Sequence, residues 1–507
     1  MTMPFHHRPP HWAGSDLSRG LRRWIRHQKR QYRRWLKRGA PPHYQPVPVP
    51  EHMIGRRILG LTFDGRPIFE PKTAGSSLTL AAAGGGKTTC VSVPALMSML
   101  TDTSRAVFTS DSKDGEIAAQ VAGMCRKHGR LFAVVDEFAV LGEDNPARIT
   151  LNPFGAAVHA LKVDPEQLPF VIANIVHALI EEPADDQKNF YWREAPREIL
   201  TLGILILLEL NPRRCFPGAL TALLADPDTW ARALREAADS LDASLSASAR
   251  QLLEMKQDNP EHYSQHMRAA LTSLKIFATG PLKNAGRLAQ ATHAEMIEKG
   301  AVVCFVNPAR FTDRLGPFYA LHFLALMNAQ LRHGAGRSEF ILDEFCNAPL
   351  RDALNRVTIQ RAFGARSHFI AQSRQDIVRK YGEKETALLE ENCSIIQYLK
   401  FSNYEEAERI SRAMGETIVI SPGLGLASNQ SGWNSNYSTG QGRVFTADEL
   451  MRLPPDEQIL QVDGVGFIHC RKFYQNQFAP YCFELAANPL EGGRLPPDPR
   501  VVIARDG

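Results

Sequence analysis

Short apolar runs alternate along the chain with longer stretches of helical periodicity. Seven runs predict strands: Ser77–Ala81, Ala106–Ser110, Leu131–Val135, Ala301–Val306, Glu339–Leu342, Ser367–Ala371 and Ile395–Lys400. This alternation predicts an α/β fold with a mostly parallel sheet. Between about 165 and 295 the strand signals stop and helix formers take over, as in Ala219–Ala225, Trp230–Leu241 and Ser246–Met255. The pattern therefore divides into an arm and linker (1–50), an α/β domain in two pieces (51–170 and 295–507) and an inserted all-α domain (171–294). From Pro422 to Arg443 the chain is rich in Gly, Ser and Asn, and a mobile surface loop is expected.

The longest apolar run, Ile199 to Leu208, is bounded by Glu198 and Glu209. A bilayer span needs roughly 18 such residues, so a buried helix is expected here instead.

Charge changes the picture at one end. Residues 16–38 read as a helix, with Asp16 or Ser18 as its cap and Leu17, Leu21, Trp24, Ile25, Tyr32, Trp35 and Leu36 on one stripe. From Arg19 to Arg38 the same segment carries ten basic residues and no acid. The whole chain has 59 Lys+Arg against 54 Asp+Glu; without those ten, 49 basic residues face 54 acidic ones. Basicity belongs to the arm, and no body-wide nucleic-acid surface follows from it. Such an arm suits an anionic membrane surface or a small membrane partner, a phosphate backbone, or a solvated face. Residues 40–50 hold five prolines and read as a stiff, extended linker. The eight cysteines are scattered with no C-x-x-C pair, which fits reduced thiols in a cytoplasm.

The sharpest chemical signal is Leu80-Ala81-Ala82-Ala83-Gly84-Gly85-Gly86-Lys87-Thr88-Thr89, at a predicted strand–helix junction. A phosphate needs backbone N–H groups turned inward around it, and small residues permit that approach. Ala81, Gly84, Gly85, Gly86, Lys87, Thr88 and Thr89 are the candidate nucleotide-binding residues, although Ala81 stands where the strict P-loop pattern has glycine. Lys87 neutralises β/γ oxygens in this reading, Thr88 ligates Mg²⁺, and the helix N-terminus adds its dipole. Phe340-Ile341-Leu342-Asp343-Glu344 supplies the acids such a loop requires. Asp343 is the expected metal partner, and Glu344 the base that polarises the attacking water. Gln372, just past Ser367–Ala371, is a candidate contact to the terminal phosphate. Arg361 and Arg366 precede that strand and are candidates to enter a neighbouring subunit's site.

With these residues the chain resembles the type IV secretion coupling proteins, the TraG/TraD-like conjugative DNA transfer ATPases of the FtsK/HerA superfamily. The resemblance runs from about 70 to 475. It continues through Val93-Pro94-Ala95-Leu96, Ser110-Asp111-Ser112-Lys113-Asp114-Gly115-Glu116, Asn152-Pro153-Phe154, Phe190-Tyr191-Trp192-Arg193-Glu194-Ala195, Asn392-Cys393, Tyr404-Glu405-Glu406-Ala407-Glu408, Gly415-Glu416-Thr417 and Thr446-Ala447-Asp448-Glu449-Leu450.

The resemblance implies a RecA-like P-loop domain with an inserted all-α domain, closing as a homo-hexamer around DNA. It implies an ATPase that uses ATP and Mg²⁺ to pump relaxase-bound single-stranded DNA, and possibly protein substrates, into a type IV secretion channel. It places Arg361 at the position of the family's trans-acting arginine. Most members begin with two transmembrane helices; here the basic arm stands in their place, so peripheral attachment to the bacterial inner membrane is expected. Two other readings stay open at this point: a nucleotide-binding docking platform without motor activity, and a DNA translocase acting outside secretion.

Overall fold

Twelve strands form one mixed sheet: β1 (Ile58–Leu61), β2 (Pro67–Phe69), β3 (Ser76–Ala81), β4 (Arg105–Asp111), β5 (Phe132–Val135), β6 (Arg148–Ile149), β7 (Val302–Val306), β8 (Arg337–Leu342), β9 (Ala365–Ala371), β10 (Cys393–Lys400), β11 (Glu457–Val462) and β12 (Gly466–Arg471). Across the sheet they run β2-β1-β12-β11-β10-β3-β9-β8-β4-β7-β5-β6. This computed structural model describes residues 46–50, 53, 55–180, 190–331, 336–347, 359, 361–426, 433–479 and 481–491. The predicted helix over 16–38 lies outside them.

From β10 to β6 every neighbouring pair is parallel. All seven predicted strands fall in this block, within two residues at each end. Their burial on both faces explains why they were legible: β3 and β7 are buried at every position. The antiparallel extension β11-β12-β1-β2 was not foreseen. β12 is mostly half-buried, β11 mixes glutamines with its apolar residues, and the buried run Ile58–Leu61 is only four residues long and contains a glycine, so the signal is weak. Where that extension meets the parallel block, β11 pairs with β10 from Ile395↔Val462 to Tyr398↔Ile459, and two glutamines add side-chain bonds to β1: Gln458 Nε2 donates to the Leu59 carbonyl at 2.7 Å and Gln397 Nε2 donates to the same oxygen at 3.1 Å.

The expected loop after Pro422 is a correction. Glu416–Leu426 and Trp433–Arg443 pair as an antiparallel ribbon in register from Glu416↔Arg443 to Leu426↔Trp433. Backbone pairing of this kind needs no apolar run, so Gly/Ser/Asn composition concealed it.

Between β6 and β7 the described residues hold helices and no strand. Side-chain caps set their starts. Asp226 accepts from the backbone N–H of Asp228 and Thr229, and Pro227 occupies the first turn, so the helix runs Pro227–Ala238 rather than from Trp230. It stops before the predicted Leu241, which is fully exposed. Asp242 likewise starts Ala243–Asp258, and Asn259 with Pro260 starts Pro260–Ser273. The run Ile199–Leu208 lies within the helix Phe190–Leu210, and Ile199, Leu200, Leu202, Ile204, Ile206 and Leu208 are buried. No helix among the described residues is long and apolar enough to cross a membrane.

One apolar core joins these helices to the sheet. It passes from Leu78, Phe108 and Phe340 through Phe318 and Phe323 of the nearly all-buried helix Gly316–Gln330 to Trp230 and Leu234. A second core on the opposite sheet face packs Val93–Met99 against Val107, Ile341 and Ile370. Sandwiched in this way, the carboxyl ends of β3, β9, β8 and β4 are held at fixed separations.

Candidate nucleotide-binding site

β3 delivers the chain to Ala81, and Ala82–Gly86 turn over its carboxyl end. Gly84 and Gly86 have φ of +71° and +92°, a region costly to any residue with a Cβ. A Cβ on Gly85 would stand 2.9 Å from the Ala81 Cβ and the Ala82 carbonyl, so both conformation and space require the glycines. Beyond them the helix opens as a wide turn, Thr88–Ser92, before Val93–Met99. Pro94 lacks the N–H that the ladder needs at its position, which accounts for the local widening.

Lys87 is buried under this turn. Its Nζ donates to the Ala81 carbonyl at 3.1 Å and pairs with Glu344 Oε1 at 3.3 Å. Asp343 and Glu344 follow β8, which is separated from β3 by β9. The intervening β9 ends beside them, and Gln372 Nε2 donates to Glu344 Oε2 at 3.2 Å. Glu344 has φ of +54°, a left-handed conformation rare outside glycine. Such strain persists only where surrounding contacts impose it. It sends the Glu344 carboxylate toward Lys87 while Asp343 stays buried.

Burial pushes the Asp343 carboxyl up to about 6; the ammonium of Lys113 opposes the rise and the charge of Glu344 adds to it. Asp343 Oδ1 is buried and has no hydrogen-bond partner. A buried carboxylate with an unpaired oxygen, a second acid next to it in the chain and a threonine hydroxyl within reach of the same lysine make up the donor set of a hard divalent cation. Thr88 and Asp343 therefore fit magnesium, and the glycine turn fits the phosphates it would accompany.

The structure brings Ala81, Gly84, Gly85, Gly86, Lys87, Thr88, Thr89, Asp343, Glu344 and Gln372 to one end of the sheet. Thr89 faces inward on its own turn, its hydroxyl donating to the Gly86 carbonyl at 3.4 Å. Arg361 is not among them. It is exposed in the turn Arg361–Phe363, and its Cδ lies 3.8 Å from where a Gly75 Cβ would be, at the amino end of β3. A strand of six residues separates it from the glycine turn, roughly 20 Å. Arg366 is withdrawn altogether: it pairs with Glu70 at 2.9 Å and Glu339 at 2.6 Å inside a buried network. That network continues through His368, bonded to Glu339 at 2.7 Å and to Ser77 at 2.9 Å.

Two lysines complete the site without having been singled out. Lys113 Nζ lies 3.5 Å from Thr88 Oγ1, 3.6 Å from Glu344 Oε1 and 3.9 Å from Asp343 Oδ2. Lys472, just past β12, is buried and donates to the Gly85 carbonyl at 3.1 Å. The first had a signal, a polar run at the carboxyl end of a predicted strand. The second had none.

The family described as Type IV secretory system Conjugative DNA transfer matches residues 52–487. A search of curated proteins finds no match. Among solved structures, the bacterial conjugative coupling protein TrwBdeltaN70 in an unbound monoclinic form is 14% identical, with a TM-score of 0.58 over 83% of this chain and 90% of that one. The plasmid coupling protein TrwB in complex with ADP and Mg²⁺ is 15% identical, with a TM-score of 0.59 over 86% of this chain and 93% of that one. TrwB with a non-hydrolysable ATP analogue superposes at 0.57 and 14% identity, over 84% and 92%. These likenesses show the α/β, RecA-like fold. By the match across most of its length, the chain belongs to the type IV secretion family of conjugative DNA transfer coupling proteins.

Proposed function

We propose that the protein is an ATP-hydrolysing motor that moves relaxase-bound single-stranded DNA toward a type IV secretion channel. One observation carries the reading: Lys87 in the glycine turn and Glu344 beyond a different strand meet at 3.3 Å, with Gln372 from the strand between them on the same carboxylate. The TrwB structures bound to ADP with Mg²⁺ and to an ATP analogue support ATP and Mg²⁺ as the ligands here.

Lys87 binds the terminal phosphates, and the glycine-turn N–H groups enclose them. Thr88 and Asp343 would hold magnesium, which when bound would supply charge neutralisation at the phosphate oxygens. Glu344 orients and deprotonates the attacking water, and Gln372 holds that carboxylate in place. Arg361, remote from its own site, reaches the neighbouring protomer's nucleotide in a hexameric ring. The helical segment over 171–294 forms the all-α domain that receives substrate, and the basic arm of residues 16–38 holds the motor at the inner face of the membrane. Backbone contacts to DNA make binding salt-sensitive and independent of sequence.

The test is ATP turnover with and without single-stranded DNA. Stimulation by DNA that disappears in Lys87→Ala is the expected result. Nucleotide binding without turnover under any DNA condition would leave a docking platform instead of a motor.

A further inference from the structure

The side chains that fit magnesium already share a cation. Lys113 Nζ lies within 3.5–3.9 Å of Thr88 Oγ1, Glu344 Oε1 and Asp343 Oδ2, the hydroxyl and the two carboxylates of the site. A magnesium ion binds oxygen ligands at about 2.0–2.1 Å and draws them inward. An ammonium and a divalent ion that share these side chains repel one another, so each weakens the other's hold on them. We infer that Lys113 is the exchangeable counter-cation of the Asp343–Glu344 pair, which keeps the acids from loading a divalent ion until a nucleotide brings one in. This rests on the nucleotide-site reading above and deepens it.

The turn that carries Lys113 is built for such a side chain. Asp114 and Gly115 have φ of +54° and +75°, two successive left-handed residues. The backbone is pinned around them: the Thr312 hydroxyl donates to the Ser112 carbonyl at 3.0 Å, the Glu116 N–H to the Lys113 carbonyl at 3.1 Å, and the Ala309 N–H to Asp114 Oδ1 at 3.0 Å. The side chain itself is one-third exposed, while Asp343 is 4% exposed. A fixed backbone with a partly solvated four-carbon stem lets the ammonium leave without disturbing the sheet. Lys87 differs in this respect, being 7% exposed and tied to the Ala81 carbonyl. The two lysines therefore divide the labour: Lys87 stays in the cradle, and Lys113 yields its place.

An incoming nucleotide tips the exchange because its phosphates add ligands and negative charge to the metal, which the ammonium cannot match. The divalent ion alone lacks that help. It must displace a paired lysine from its carboxylates.

The experiment uses Mn²⁺ as the probe, without nucleotide, and follows its free signal by electron paramagnetic resonance on the full chain. Wild type is expected to take up Mn²⁺ weakly. Lys113→Met should bind it at least about tenfold more tightly, since like-charge juxtaposition exceeds that factor. Lys113→Arg should resemble wild type, and adding Asp343→Asn to Lys113→Met should abolish the gain. Lys113→Gln is a second neutral variant to be measured if the methionine variant does not fold. Equal Mn²⁺ affinity in wild type and the neutral variant, or a gain that survives Asp343→Asn, overturns the inference. A separate titration of wild type with fluorescent ATP and Mg²⁺ tests the site itself; intact nucleotide binding beside unchanged Mn²⁺ affinity would discard the role of Lys113 alone.

Discussion

Lys472 Nζ donates to the Gly85 carbonyl at 3.1 Å, tying the antiparallel edge of the sheet to the middle of the phosphate turn. Turning that carbonyl outward leaves the neighbouring N–H groups facing in, which is the orientation a phosphate requires. Burial pulls the Lys472 ammonium below its ordinary range. Lys472→Met should weaken ATP binding by about tenfold, the scale of a hydrogen bond from a charged donor. Titration of a fluorescent nucleotide measures it, and unchanged affinity would mean that the turn holds itself.

Glu344→Gln keeps the shape of the side chain and removes the base. ATP should still bind, while turnover falls at least about 10²-fold, the usual scale for losing a positioned base. Normal turnover in that variant would take Glu344 out of the role.

Arg361→Ala should retain nucleotide affinity, because Arg361 stands at the opposite end of β3 from Lys87. Its effect should appear only between protomers. Mixing Arg361→Ala with Lys87→Ala, each inactive alone, should restore some ATP turnover by pairing an intact arginine with an intact lysine. If mixtures stay inactive, Arg361 does not act across the interface.

His293 and His322 are buried side by side, Nε2 to Nδ1 at 3.0 Å. Burial lowers His293 to about 3, with His159 adding to the effect, so the folded protein keeps it neutral where the unfolded chain protonates. Its stabilising contribution is therefore complete above pH about 6.5 and is lost as pH falls below that value. His293→Asn should be less stable than wild type at pH 7.5. That deficit should shrink by about 1 kcal/mol between pH 6.5 and 5.5, the slope still rising toward the one-proton limit of about 1.4 kcal/mol per pH unit. Denaturant unfolding at pH 7.5, 6.5 and 5.5 checks the slope, and a constant difference would show that His293 does not titrate on unfolding.

The sequence by itself determined the parallel core and marked most of the residues that gather at the carboxyl ends of its strands. Strands buried on both faces read as near-continuous apolar runs, interrupted here by paired polar groups such as Ser77, Glu339 and His368, and a phosphate turn must be made of small residues followed by lysine and threonine, so both were written locally. Asp343 and Glu344 were visible because they end an apolar run. Tertiary structure alone decided the rest. The placement of β9 between β3 and β8 put Gln372 on Glu344, and strand order is not a property of any one segment. It withdrew Arg366 into pairs with Glu70 and Glu339, although residue type and position before the strand did not separate Arg366 from Arg361. It also brought Lys113 and Lys472 to the nucleotide site from 26 and 385 positions beyond Lys87. Lys113 at least lies in one of the blocks that carry the family resemblance, but the contact of Lys472 leaves no period and no motif, because only the packed sheet fixes where its ammonium ends.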